Sequence, residues 1–262
     1  MAIVKGKFII GVVGTVIYKT YRGQQVITGK ARGTVKITEA TKKSANIFGK
    51  SSTFACQIRL GLNTIVTKNH DGTMHFRLTQ DVARIVNKAL DPENSDFYFG
   101  PSDFDALTGF QFNIKSPFKQ SLLVPPYITV TDNQLTLHQP EINVPKDLKF
   151  PLNATSCNIN FVVMEFNLLE GTKKRTLIGT KKIENNKGIY AAEEWTAPLQ
   201  EGWFTVIAIS LNYVQQTFAG DVILNSKDFC PAMIVQAGFI TNIDQAGPFK
   251  LETKNYRWAP TK

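Results

Sequence analysis

The first pattern along the chain is an apolar, β-branched stretch over residues 8–18, followed by a turn and a shorter return strand. Gly11 and Gly14 interrupt the stretch, which favours a strand with a bulge or a close backbone approach over a helix. Gly23 supplies the turn, and residues 25–28 form the second strand. The residues predicted to be critical for the backbone are Gly11, Gly14 and Gly23. Because a two-stranded hairpin is only marginally stable in water, we expect it to pack on a helix or a neighbouring subunit.

The period of the apolar positions changes after Thr38. Small and apolar residues then recur every three or four positions, which predicts one face of a helix. That face comprises Ala40, Ser44, Ile47, Phe48, Ser51, Ala55, Ile58 and Leu62. Thr38 is the expected N-cap, and Glu39 suits the first turn. A second helix is predicted to begin at Thr79 and to end before Pro92. Its apolar stripe comprises Val82, Ile85, Val86 and Leu90.

From residue 108 the pattern alternates between apolar and polar positions, as in half-buried strands. Strands are predicted over residues 110–114, 127–131 and 134–138, and Asp132 and Asn133 join the last two as a tight turn. Prolines cut residues 108–150 into short pieces, which disfavours central strands at those points.

Longer strand candidates follow, separated by Gly and Asn turns, and residues 203–213 are apolar on both faces for much of their length, as expected of a central sandwich strand. The candidates cover residues 157–169, 175–183, 189–195, 203–213, 217–224 and 234–243. This spacing predicts an immunoglobulin-like β-sandwich without the disulfide of antibody domains. The predicted fold class is α+β and β-rich, with an N-terminal β-hairpin and short helices followed by that sandwich. The predicted domains are a basic hairpin and helical module (1–107), a β-rich connector (108–150) and the sandwich (151–262).

Composition supports a folded chain. The 262 residues are 43% hydrophobic and 19% charged, which excludes the disordered class. Cys56, Cys157 and Cys230 lie far apart, so they predict neither a zinc cage nor a disulfide framework, and their odd number favours reduced thiols. We expect no metal and no cofactor.

Targeting signals are weak. Lys5 and Lys7 precede an apolar run, as in a signal peptide, but Tyr18 and Lys19 stand where a cleavage site would be. No apolar run approaches the roughly 20 residues that a membrane span requires. We therefore expect cytoplasmic synthesis and no membrane span, with the final location left open and an assembled particle as one destination.

Charge is distributed very unevenly along the chain. Residues 1–60 hold eleven Lys and Arg against one acid, Glu39, whereas the other 202 residues hold 19 bases and 20 acids. With Tyr18 and Tyr21 interleaved, this segment would attract a polyanion or an acidic protein surface. The ordinary alternative is a solvated face. The predicted assembly or polyanion surface comprises Lys5, Lys7, Lys19, Arg22, Lys30, Arg32, Lys42, Lys43 and Lys50.

Residues with catalytic or metal-binding chemistry are scattered. They are His70, His75 and His138, Asp103 with Asp105, and Glu193 with Glu194. His70 and His75 are five apart, which is not a metal-ligand spacing, and Asp71 with Gly72 between them predicts a hairpin turn. Paired carboxylates serve acid and base catalysis only with the right pocket geometry, and solvated loop positions are their commoner role. The sequence therefore predicts no catalytic residues and no enzyme.

The N-terminal pattern also carries a resemblance. An uncharacterised family found in Bacteroidota has a motif that this chain resembles, namely Gly11-x-x-Gly14-x-Val16-x-x-x-x-Tyr21-Arg22-Gly23-x-x-Val26-Ile27. The resemblance covers residues 1–65, including the Thr-Glu-Ala helix start, and departs at residues 31–33, where the family has proline. It implies a glycine-marked N-terminal hairpin, a short helical region and a β-rich C-terminal half. It implies no catalytic or binding residues.

Three classes of function follow. The leading one is a non-enzymatic structural subunit that forms a homo-oligomer or docks into a larger assembly, such as a filament, sheath or phage-like particle. The alternative is a nucleic-acid-binding protein that uses the basic N-terminal segment. A carbohydrate-binding sandwich or an unrecognised enzyme is third, supported only by Trp195 and Trp203.

Overall fold

The three-dimensional structure is a computed structural model, which describes residues 1–31, 33, 37–66, 69–91, 93, 97–100, 102–239, 249–251 and 259–260. The chain forms two compact units, Met1–Ala45 and Asn46–Lys262. The division falls within the first helix, α1, which spans Glu39–Val66. It therefore differs from the predicted division after residue 107.

Met1–Ala45 contains a four-stranded antiparallel sheet in place of the predicted hairpin. Its strands are β1 (Ala2–Lys5), β2 (Phe8–Val13), β3 (Val16–Tyr21) and β4 (Gln24–Gly29), paired in chain order. The prediction of one strand over residues 8–18 is wrong because the chain reverses between Val13 and Val16. Gly14 has φ +56° at that turn, a conformation that L-residues with a Cβ rarely adopt.

The start of α1 follows the prediction. Thr38 Oγ1 accepts a hydrogen bond from the Thr41 backbone N–H at 3.2 Å, which confirms the N-cap. The buried residues of the helix are Ser51, Phe54, Ala55, Ile58, Gly61, Leu62, Ile65 and Val66. The predicted stripe is thus confirmed from Ser51 onward, but Phe48 is exposed.

The second helix, α2, spans Met74–Ala89 and begins earlier than the predicted Thr79. Asp71 lies before it, and its Oδ1 accepts hydrogen bonds from the Thr73 backbone N–H at 2.7 Å and the Thr73 hydroxyl at 2.6 Å. The predicted hairpin turn at Asp71 is therefore wrong, because these bonds direct the chain into the helix. The predicted apolar stripe is confirmed at the buried Val82, Ile85 and Val86.

The rest of Asn46–Lys262 is mainly strands, so the chain is an α+β, β-rich protein. The strands are β5 (Phe97–Phe99), β6 (Tyr127–Thr131), β7 (Gln134–Gln139), β8 (Ile142–Val144), β9 (Ser156–Asn167), β10 (Thr172–Glu184), β11 (Gly188–Tyr190), β12 (Glu193–Pro198), β13 (Phe204–Thr217), β14 (Gly220–Ile223), β15 (Ala232–Phe239), β16 (Phe249–Leu251) and β17 (Ala259–Pro260). A 3₁₀ turn covers Asp103–Leu107, and a short helix, α3, covers Phe118–Ser121. The predicted strand over residues 110–114 is wrong, since only Gln111 forms an isolated bridge, to Met233.

A six-stranded sheet organises this unit. Its order is β14-β13-β9-β10-β17, and β15 also pairs with β13. The smaller sheets are β12-β7-β6, β11-β8 and β16-β5. The predicted hairpin of β6 and β7 is confirmed, and Asp132 and Asn133 have φ +50° and +59° at its turn.

Both faces of the central strands β9 and β13 of the six-stranded sheet are buried. Alternate residues of a strand point to opposite faces, so Val162 and Met164 of β9 join one core while Phe161 and Val163 join the other. The helix-side core contains the buried residues of α1 and α2, and the strand-side core contains Leu135, Leu137, Ile142 and Val144 of β7 and β8. Burial on both faces explains the nearly continuous apolar sequence of β9 and β13.

Candidate assembly surface

The sheet of Met1–Ala45 has no core of its own. None of the described residues in this unit is buried. The strand register places Val4, Ile9, Val13 and Ile27 on one face, and these four side chains are 76%, 42%, 54% and 60% exposed. We name them the β-branched face. A sheet normally buries one face against a second layer, so this face is a candidate contact surface.

Gly11 allows the first two strands to approach closely. Its φ is +127°, and a Cβ built on it would lie 2.5 Å from Met1 O and 2.7 Å from Ala2 Cα. This close approach is the one that the sequence predicts. Gly14 and Gly23 have nothing within 4 Å of such a Cβ, so they matter through their positive φ at turns.

Gln25 ties the strands across the sheet. Its Oε1 accepts a hydrogen bond from the Ile9 backbone N–H at 2.8 Å, and its Nε2 donates to Ile9 O at 3.0 Å and Lys19 O at 3.1 Å. The paired residues of β2 and β3 begin only at Gly11 and Tyr18, so the Gln25 amide provides hydrogen bonds to the Ile9 backbone where β3 does not. Sequence reasoning missed this role, because a polar residue on a strand gives no sign of a partner 16 positions away.

Four residues of the predicted basic surface lie close together in the structure. In this meander the β1–β2 and β3–β4 turns lie at the same end of the sheet. Lys5, Lys7, Lys19 and Arg22 lie at or next to these turns, and we name them the basic end. The Lys7 ammonium lies 5.4 Å from the Phe8 ring centroid, and the Arg22 guanidinium lies 5.4 Å from the Tyr21 ring centroid.

The other predicted cations lie elsewhere. Lys30 follows β4 at the opposite end of the sheet, and its backbone N–H donates to Thr15 O at 2.7 Å. Lys42 and Lys43 are exposed on α1, where Lys42 Nζ donates to Glu39 Oε1 at 2.7 Å. Lys50 belongs to Asn46–Lys262, is half-buried and lies 4.6 Å from the Phe97 ring centroid. Arg32 falls outside the described residues.

The carboxylates and histidines of Asn46–Lys262 form structural contacts. His138 Nε2 lies 2.9 Å from Thr129 Oγ1, and its Nδ1 lies 2.7 Å from Glu194 Oε1. A hydroxyl, an imidazole and a carboxylate in series also occur in serine hydrolases, but these three lie on neighbouring strands of the β12-β7-β6 sheet, with Tyr127 stacked on the imidazole at 4.6 Å. The arrangement is a cross-strand ladder that holds the sheet together. Glu194 lies on β12, within the strand predicted over residues 189–195, and the β6–β7 register was the sequence signal that brings Thr129 close to His138.

Asp71 is the most strongly perturbed carboxylate, and it is buried. Burial opposes its ionisation, but hydrogen bonds from Thr73, from the Ile114 backbone N–H and from Arg77 lower its pKa to about 2. The Ile114 N–H lies 3.1 Å from Asp71 Oδ2. Asp71 therefore ties the start of α2 to the loop after residue 110, which is a structural role.

Trp195 and the cysteines are the remaining candidates. Trp195 packs 5.1 Å from the Phe161 ring centroid, in contact with the strand-side core. Cys157 and Cys230 are buried, and burial raises the pKa of both thiols. Among the residues that the structure describes, no three His, Cys, Asp or Glu side chains gather closely enough to hold a metal ion. No helix in the described part of the chain is both long and apolar enough to cross a membrane.

Comparisons of the chain with protein families, with curated proteins and with solved structures find no match. The resemblance of residues 1–65 to a Bacteroidota family therefore stays a prediction.

Proposed function

We propose that the chain is a non-enzymatic structural subunit that self-associates through the sheet of Met1–Ala45. The observation that carries this proposal is the exposed β-branched face in a unit without a buried side chain among its described residues. A second copy of the same sheet supplies a matching apolar layer, so each copy covers the face of the other. Docking of this face into a larger assembly of the same protein, such as a filament or sheath, uses the same contact.

The sheet edges add a second means of association. β1 and β4 are the outer strands of the four-stranded sheet. An outer strand presents unpaired backbone N–H and C=O groups to another chain. Copies can therefore join both face to face and edge to edge, which suits an extended assembly.

Charge sets the expected salt dependence of assembly. Met1–Ala45 contains nine bases and one acid, so two copies of this unit repel each other. Salt screens that repulsion, and the Debye length falls from about 10 Å at 0.1 M to about 3 Å at 1 M. Self-association is therefore expected to strengthen as salt rises.

The second candidate function is binding of nucleic acid, or of an acidic protein surface, at the basic end. It is supported by four cations near two adjacent turns, with Tyr21 and Phe8 beside them. Binding to phosphates releases counterions, so this interaction weakens as salt rises. The sign of the salt dependence thus separates the two functions.

The test is light scattering coupled to size-exclusion chromatography, over a range of protein and salt concentrations. The full chain is expected to form oligomers, and deletion of residues 1–36 is expected to give a monomer with unchanged thermal unfolding of Asn46–Lys262 by circular dichroism. A strict monomer at high concentration in 1 M salt, or undiminished assembly of the truncated chain, would contradict the proposal. Retardation of nucleic acid only at low salt would favour the second function.

A matched pair of variants localises the contact. Val4→Thr combined with Val13→Thr keeps shape and β-branching but removes apolar surface from the β-branched face, so assembly is expected to weaken at least tenfold. Val222→Thr makes the same change at a 48%-exposed position of β14 and is expected to leave assembly unchanged. Equal effects of the two changes would show that exposed valines in general, and not this face, drive association.

The immunoglobulin-like character of residues 151–262 stays a proposal. It is supported by antiparallel pairing of β10, β9, β13 and β15 and by packing of this sheet against β7 through the strand-side core. The opposing strands β6, β7 and β8 lie before residue 151, and helices cover the other face. A fragment beginning at residue 151 would therefore lose partners on both faces of its sheet.

A further inference from the structure

Asn46–Lys262 contains a partly open cavity of about 360 Å³ on the helix-side face of the six-stranded sheet. Its apolar wall consists of Ile65, Val162 and Leu177, and its polar wall includes Asn160, Arg175 and Asn212. A volume of this size is within the range of small-molecule sites.

The strand pattern explains why this wall becomes polar. Along β13, Val206 and Ala208 belong to the helix-side core, and the next residues on the same face are Ser210 and Asn212. On β9, Asn160 pairs with Ser210 in the same way. α1 ends at Val66. The sheet thus continues as a polar floor where the helix ends.

Two polar atoms of that floor lack hydrogen-bond partners among the described residues. Ser210 Oγ and Asn212 Oδ1 are both buried and unpaired there. Their neighbour differs, because Asn160 Oδ1 accepts a hydrogen bond from Thr180 Oγ1 at 3.1 Å. A buried acceptor without a donor is costly, and such atoms usually meet a water or a ligand.

Among the described residues that line the cavity, Arg175 alone has a charged side chain. Its Nη1 donates to Thr64 Oγ1 at 3.2 Å, which fixes the guanidinium at the edge of the cavity. A guanidinium held in this way pairs well with a carboxylate, which it can bind through two parallel hydrogen bonds.

We propose that this cavity binds a small polyhydroxylated carboxylate of about the size of one sugar ring. Hydroxyl groups both donate and accept, so they match the mixture of amide and hydroxyl groups in the floor. The ligand carboxylate lies against Arg175, and the C–H face of the ligand packs on the wall of Ile65, Val162 and Leu177. This binding is independent of self-association through Met1–Ala45.

The probe is glucuronate, and the matched control ligand is glucose, which has the same ring without the carboxylate. Each is titrated into the ¹⁵N-labelled full chain and followed by two-dimensional NMR. Glucuronate is expected to shift the side-chain amide signals of Asn160 and Asn212 and to bind at least tenfold more tightly than glucose.

Two variants separate the roles. Arg175→Gln is expected to reduce glucuronate affinity to that of glucose, and Asn212→Leu is expected to abolish binding of both. Because Asn212→Leu removes a buried unpaired acceptor, its unfolding temperature is expected to stay the same or rise. Arg84→Gln on α2 and Asn143→Leu on β8 change the same residue types outside the cavity and are expected to bind as the unchanged chain does.

Several outcomes overturn the proposal. Absence of shifts at high glucuronate concentration means that water alone occupies the cavity. Equal binding of glucose and glucuronate removes the role of Arg175, and wild-type binding by Asn212→Leu removes the role of the polar floor. The exposed Arg175 side chain makes Arg175→Gln a test that does not depend on the stability of the Asn212 variant.

Discussion

The two units of this chain differ in how their sheets are buried and charged. The four-stranded sheet of Met1–Ala45 has no buried side chain among its described residues, whereas the central strands β9 and β13 of the six-stranded sheet in Asn46–Lys262 are buried on both faces. The first unit holds nine bases and one acid, and the second holds 21 bases and 20 acids. The six-stranded sheet is stabilised by the layers that pack on it within its own unit. The four-stranded sheet presents exposed apolar side chains, which a partner would remove from water. We therefore expect the second unit to provide most of the stability and the first unit to provide the contacts for association.

The largest expected effect on stability is in the second unit. Phe204 is fully buried, with its ring centroid 4.1 Å from Phe104 and 5.4 Å from Phe54. Phe204→Ala is expected to lower the free energy of unfolding by about 3–5 kcal/mol, because it removes packing and leaves a cavity. In the first unit the smaller truncation Val13→Ala, at a 54%-exposed position, is expected to cost about 0.5 kcal/mol or less. Urea denaturation of the monomeric, dilute proteins checks both values, and equal costs would remove the distinction between the units.

Asp71 makes the free energy of unfolding of the second unit depend on pH in the acid range. Its pKa is 3.8 ordinarily and about 2 in the fold, so its stabilisation is complete above about pH 4 and is lost as pH falls toward 2. Asp71→Asn is expected to lower the free energy of unfolding by about 2 kcal/mol at pH 7 and to flatten this part of the pH profile. Asp81→Asn, which removes a partly exposed ion pair with Arg84, is expected to cost about 0.5 kcal/mol or less. Denaturation curves at a series of pH values distinguish the two; an unchanged slope in Asp71→Asn would contradict the assignment.

The smallest effects are confined to the first unit. Gly14→Ala is expected to destabilise the four-stranded sheet by about 1 kcal/mol, because the added Cβ meets no neighbouring atom and only the positive φ is unfavourable for alanine. Gly11→Ala is expected to cost more than Gly14→Ala and to separate β1 from β2, because its Cβ would meet the backbone of Met1 and Ala2. Hydrogen exchange of the β1 and β2 amides measures the difference. Neither change is expected to shift the unfolding of Asn46–Lys262, and a shift would show that the units are thermodynamically coupled.

The sequence by itself determined the features that depend on neighbouring residues. The Thr38 cap, the stripe of α2 and the turn of Asp132 and Asn133 all follow from local backbone chemistry, and all three are present. The concentration of charge in the first 60 residues is likewise a property of the sequence alone. Long apolar runs bounded by turn residues also located the strands β9 and β13, because a strand that is buried on both faces has apolar residues at most positions.

Only the tertiary structure decided which surfaces cover one another. An apolar run does not show that Gly14 reverses the chain, nor that Lys50 packs over Phe97 while Lys5 stays exposed. The alternation over residues 110–114 is that of a strand, but only a short part of it pairs with β15, where the Phe112 backbone N–H donates to Ala232 O and Phe110 O accepts from the Ile234 N–H. These outcomes depend on contacts between residues far apart in the chain, and local periodicity carries no information about such contacts.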